Sequence, residues 1–122
     1  MVAISQNLYK YIFLGWTLSI LFLLLKPSTG EPSFLGQIPH LDKVVHFTLF
    51  CVWGSLGYRA FGASQSTVKL WSVAVVAIVC LAAGTEWLQR YVEGRQDDVL
   101  DFVADMSGGL LGVCLTKYWK IN

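Results

Sequence analysis

Leu70–Leu88 reads LWSVAVVAIVCLAAGTEWL, nineteen residues whose only charge, Glu86, comes near the end. About 17–25 apolar residues cross a bilayer as a helix. A soluble core helix of that length carries a polar face, and this run has none. Three further apolar segments flank it, from about Leu8 to Leu25, Asp42 to Phe61 and Asp98 to Leu115. The chain has 122 residues, 55% of them hydrophobic and 14% charged. An average soluble domain is about 25% charged, and the mean hydropathy here is +0.56. These features predict an all-α, polytopic membrane protein: a single domain over 1–122, with transmembrane helices at about 8–25, 42–61, 70–89 and 98–115.

Local signals set the boundaries. Lys26-Pro27-Ser-Thr-Gly30 stops the first helix. Lys10 followed by an apolar run also fits a signal peptide, but no Ala-x-Ala site follows, so a retained helix is expected. Glu31 to His40 reads as a polar connector with Pro32 and Pro39, and Asp42 as the N-cap of the second helix. Cys51, Cys80 and Cys114 lie in apolar runs without metal-ligand spacing. They read as small buried hydrophobes, with no disulfide expected. A net charge of +1 offers no footprint for nucleic acid.

Four spans divide the charges unevenly. One side receives Lys10, Arg59, Lys69, Lys117 and Lys120 and no acid; the other receives Lys26, Lys43, Arg90, Arg95 and every acidic residue. The rule that cytoplasmic loops are enriched in Lys and Arg favours N-in, C-in. The acids then face the outside. Tyr9, Tyr11, Trp71, Trp87, Tyr91, Tyr118 and Trp119 fall near predicted helix ends, as an interfacial belt does.

Six of the eight acidic residues lie between Glu86 and Asp105. A carboxylate at the centre of a membrane helix costs about 2.5–3.5 kcal/mol on insertion scales, which makes each one a functional hypothesis. On helices of 3.6 residues per turn, Asp42 and His46 share a face, as do Glu86 and Gln89. Asp98, Asp101 and Asp105 fall within an arc of about 60°. The short connector through Gly94 predicts an antiparallel hairpin, with Glu86 and Asp101 at similar depth and Asp105 a turn deeper. Arg95, just before Asp98, is positioned to neutralise the carboxylates or to grip an anionic ligand. Lys43 fits a snorkelling residue or a phosphate contact, and Glu93 a solvated loop charge. Gly108 and Gly112 have the spacing that lets membrane helices approach closely. The candidate polar site is therefore Asp42, Lys43, His46, Glu86, Gln89, Arg95, Asp98, Asp101 and Asp105. An ion-pair network tying the helices together is the competing explanation.

Asp42-Lys43-x-x-His46-Phe47, Glu86-x-x-Gln89, Gly94-Arg95-x-x-Asp98-x-x-Asp101 and Gly108-x-x-x-Gly112, in that order, resemble the VanZ-like family. These are small bacterial integral membrane proteins, named after one linked to tolerance of teicoplanin. The resemblance covers about Asp42 to Gly112. Where the family pattern usually has Asn, this chain has Asp105, which adds a carboxylate. The resemblance implies the bacterial cytoplasmic membrane and a role in the cell envelope or in glycopeptide tolerance, without naming a reaction.

Three functions fit these residues. The first is binding of a polar head group at the outer face: a membrane lipid, a lipid-linked envelope precursor or a glycopeptide-like ligand. Arg and Lys would take phosphate, and the acids would take amines or hydroxyls. The second is an ion- or proton-coupled transporter or a membrane-complex assembly subunit. A homo-oligomer belongs with that reading, because four helices make a thin transporter. The third is a metal-assisted or acid–base enzyme using His46, Glu86, Asp98 and Asp101. No two-His spacing, nucleophile–base pair or phosphatase signature supports an enzyme. No catalytic residue and no cofactor is assigned, and head-group binding ranks first.

Overall fold

A computed structural model describes residues 4–28 and 37–119. All regular structure among them is helical: α1 (Gln6–Leu25), α2 (Leu41–Gly57), α3 (Thr67–Gln89) and α4 (Val99–Tyr118), with a π-helical turn over Tyr58–Gly62 continuing α2. Helices α1, α3 and α4 are long and apolar enough to cross a membrane, which marks the chain as a membrane protein. Most of the connector read from Glu31 to His40, with Pro32, lies outside the described residues, as does Lys120.

Short polar side chains start three of the helices. Ser5 accepts the Leu8 amide and Ser66 the Lys69 amide. Asp98 accepts the Leu100 amide at 2.8 Å. Each satisfies an amide that the first turn leaves without a partner. Helix α2 differs from expectation. Its N-cap is His40, in the left-handed region at φ 59, and it makes no side-chain cap bond. Asp42 lies inside the first turn and turns to Lys43 instead of capping.

Ile20, Leu24, Leu49, Phe50, Trp53, Ile78 and Ala82 form the buried core. Two indoles lock α1 onto α2. Trp16 Nε1 donates to the Leu49 carbonyl at 2.9 Å, and Trp53 Nε1 donates to Thr17 Oγ1 at 2.8 Å. In lipid an unmet donor costs several kcal/mol, so these bonds fix register as well as contact. Outside the core, Leu14, Leu18, Phe22, Val68, Val76 and Val99 lie exposed, as a lipid-facing surface does. Cys80 is exposed on the same kind of surface, while Cys51 and Cys114 are half-buried; all three are free. The expectation of three buried cysteines is corrected for Cys80, because α3 turns that side away from its neighbours.

Helices α2 and α4 make the closest pair. A Cβ added at Gly108 would strike the Phe47 carbonyl, one at Gly112 the Cys51 carbonyl, and one at Gly54 the Gly109 carbonyl. Gly108 and Gly112 had the spacing for this; Gly54, their counterpart on α2, stands outside any motif in the chain. Ser55 adds a hydroxyl bond to the Gly112 carbonyl at 3.1 Å. This backbone-to-backbone fit brings the first turns of α2 and α4 together and so positions the charged residues they carry.

Candidate functional site

Above the glycine contacts, α2 presents Asp42, Lys43 and His46, α4 presents Asp101 and Asp105 beside its cap Asp98, and α3 closes the group with Glu86 and Gln89. His46, Glu86, Gln89, Asp101 and Asp105 are all buried, Asp105 completely. Asp42, at 60% side-chain exposure, sits on the rim.

Lys43 is the cation at the centre. Its Nζ donates to Asp42 Oδ2 at 3.1 Å, Asp98 Oδ2 at 2.9 Å and Asp101 Oδ1 at 3.1 Å. The hydrogen bond from Lys43 holds the Asp98 carboxyl below its usual range. One ammonium therefore serves three carboxylates, and Lys43 is no snorkelling surface residue. A helical turn after Lys43, His46 Nδ1 donates to Asp105 Oδ1 at 2.8 Å. Where Asp105 is ionised, Nδ1 is the donor in this bond, and Nε2 is the ring nitrogen left to face the other acids. That Nε2 faces Asp101 Oδ2 at 3.7 Å.

Glu86 links the two helices of the hairpin. Its Oε2 accepts the backbone amide of Asp98 at 2.9 Å. Among the described residues its Oε1 is buried without a hydrogen-bond partner, as are Gln89 Oε1 and Asp105 Oδ2. Buried polar atoms are rarely left unpaired, and each exception calls for an explanation.

Arg95 stands apart from the carboxylates. Its Nε donates to the Lys26 carbonyl at 3.0 Å and its Nη2 to the Leu23 carbonyl at 3.1 Å. Gln89 Nε2 reaches the Leu24 carbonyl at 2.9 Å. Both side chains thus satisfy the last carbonyls of α1, which have no partner within the helix. The expectation that Arg95 neutralises the acids is corrected, because its guanidinium is committed to α1. Arg90 pairs with Asp97 at 2.8 Å on the exposed surface, and Glu93 is exposed.

Two clefts flank this cluster. One, of about 430 Å³, is lined by Leu23, Leu24, Ile38, Leu41 and Val45 together with Lys26, Asp42, His46 and Arg95. The other, of about 250 Å³, lies between α3 and α4 and reaches Glu86 and Asp98. The buried acids are approached from one side through His46 and from the other through Glu86. An apolar wall whose rim carries Lys26 and Arg95 across from Asp42 suits an amphiphile with a charged head. Among the described residues His46 is engaged by the carboxylates of Asp101 and Asp105.

A family profile described as VanZ/LLP1 matches residues 3–120. The chain belongs to the VanZ/LLP1 family. The match reaches well beyond the Asp42–Gly112 stretch that carries the motifs and takes in α1. No curated protein and no solved structure matches the chain. Within this VanZ/LLP1 chain, seven of the nine expected site residues gather around one polar end, while Arg95 and Gln89 spend their donors on the end of α1. The spacing of Lys43 and His46, three residues apart and so on one helical face, is the signal that marks Lys43 as a full member of the site.

Proposed function

We propose that this VanZ/LLP1 protein holds the polar head of an anionic membrane amphiphile in the cleft between α1 and α2, with the buried acid–imidazole cluster as its floor. On this reading the chain crosses a bacterial cytoplasmic membrane four times with both termini inside. The cleft then opens to the outer leaflet, where lipid-linked envelope precursors and glycopeptides meet. A part in the cell envelope or in glycopeptide tolerance follows.

The observation that carries the reading is the make-up of that cleft. Leu23, Leu24, Ile38 and Val45 give an acyl-compatible wall, and Lys26 and Arg95 stand at its edge as cations. Lys26 ends α1 on the exposed surface. A phosphate there would meet a flexible ammonium and a guanidinium already oriented by two carbonyls. Asp42, on the opposite rim, would discriminate by accepting from amines or hydroxyls.

The test is the lipid carried by the protein extracted in mild detergent. Native mass spectrometry should show phosphate-bearing lipid enriched over the zwitterionic lipid of the same membrane. Lys26→Gln should reduce that enrichment several-fold with the bundle intact. Lipid bound in bulk proportions, unchanged by Lys26→Gln, rejects the reading.

A further inference from the structure

We infer that His46, Glu86 and Asp101 form a divalent-cation site, with Asp105 as the carboxylate that orients the imidazole. The inference stands on the buried cluster itself and does not depend on what occupies the cleft.

One donor atom from each of His46, Glu86 and Asp101 lies within 4.8 Å of the others, and all three residues are buried. A cation about 2.0–2.5 Å from each ligand fits within such a triangle. Three details of bonding make the site more than a group of acids. Glu86 is only 8% exposed, yet its Oε1 has no partner among the described residues. His46 spends its Nδ1 on Asp105, which leaves Nε2 turned toward Asp101 Oδ2 at 3.7 Å, too long for a direct hydrogen bond. The Asp105–His46 pair has the form of a carboxylate–histidine–metal relay, in which the outer carboxylate fixes the tautomer and raises the basicity of the ligating nitrogen.

Charge points the same way. Glu86, Asp101 and Asp105 are buried acids, and the nearest ammonium, Lys43, is already divided among Asp42, Asp98 and Asp101. Buried charges persist when they are paired or coordinate a metal. One imidazole with two carboxylates suits zinc or manganese better than calcium, which prefers an all-oxygen shell, or copper(I), which prefers sulfur. Lys43 would remain outside the metal on Asp101 Oδ1, leaving Oδ2 as the ligating oxygen.

The test uses the whole chain, stripped with chelator and placed in nanodiscs of zwitterionic lipid, so that binding of an anionic head group plays no part. Titration with Zn²⁺ and with Mn²⁺ should reveal one saturable site per chain. Glu86→Gln and Asp101→Asn should each weaken it at least tenfold, and Asp105→Asn by about 10–100-fold. Asp97→Asn, on the surface pair with Arg90, should leave it unchanged. Should Glu86→Gln or Asp101→Asn fail to fold, wild-type protein with Mn²⁺ decides. Its pulsed electron paramagnetic resonance spectrum should show nitrogen coupling from one imidazole, retained in His40→Ala, which removes the other histidine of the chain. Absence of saturable binding, binding indifferent to Glu86 and Asp101, or bound Mn²⁺ without nitrogen coupling overturns the proposal.

Discussion

Helices α2 and α4 touch along two stretches held by different physics. In one, Gly54, Gly108 and Gly112 let backbone meet backbone, with Ser55 adding a hydroxyl bond to a carbonyl. In the other, Lys43 and His46 of α2 face Asp98, Asp101 and Asp105 at the start of α4. The glycine stretch leaves no buried side-chain polar atom without a partner among the described residues. The charged stretch does: among those residues Asp105 Oδ2 and the neighbouring Glu86 Oε1 are buried without one. Packing alone would favour replacing buried charges with apolar side chains. Retaining five charged or titratable groups beside a seam that already holds the helices together points to work other than cohesion. Departures of this kind from local consistency are where function concentrates.

The comparison breaks most severely at the glycine seam. Gly112→Ala drives a methyl into the Cys51 carbonyl, with the Ser55 amide nitrogen 3.0 Å away, and neither is a side chain able to swing aside. We expect a loss of about 3 kcal/mol, at the upper end of ordinary overpacking. Gly84→Ala on α3, where an added Cβ meets nothing within 4 Å, should gain about 0.5–1 kcal/mol from helix propensity. Reversible unfolding in mixed micelles measures both; equal effects would mean that the seam is not a close approach.

A smaller effect is expected at the charged stretch. Lys43→Met removes the ammonium shared by Asp42, Asp98 and Asp101. Breaking a fully buried pair costs about 3–5 kcal/mol. Lys43 is 20% exposed and Asp98 41%, so water offsets much of this and about 1–2 kcal/mol is expected in the same assay. A loss as large as that of Gly112→Ala would make the charged stretch the main fastener and reverse the comparison.

The smallest effect is a pH dependence. Asp98 is held below its usual range by Lys43. A depressed carboxylate contributes fully above its unfolded value of 3.8, and the contribution fades as pH falls through the lower folded value. The stability difference between wild type and Asp98→Asn should therefore be constant from neutral pH to about 5 and shrink below 3.8. A difference that grows on acidification contradicts the Lys43 pairing.

Much of this was legible in the chain. Apolar runs such as Leu70–Leu88 announce their helices because no other structure satisfies the backbone in lipid. The i, i+3, i+7 spacing of Asp98, Asp101 and Asp105 placed them on one face, and Gly108 with Gly112 announced a close approach. Two features were not legible because they depend on partners far away in sequence. Arg95 stands among acids in the chain, yet α1 ends beside it in space and takes its guanidinium. Gly54 has no small residue four positions away, where Phe50 and Tyr58 stand; its contact with Gly109 explains it. Asp42 was misjudged as a cap because composition marks a helix start without fixing which residue is left-handed, and here that is His40.

The way α1 ends has a consequence for biosynthesis. The carbonyls of Leu23, Leu24 and Lys26 are satisfied by Arg95 and Gln89, at separations of 65 to 72 residues. At about 5–20 residues per second, roughly 3–14 seconds pass between the synthesis of that turn and the arrival of its partners. During that interval the end of α1 must be hydrated or held by the insertion machinery. Its docking is thus a late step, completed only after the end of α3 and the loop that follows it have been made.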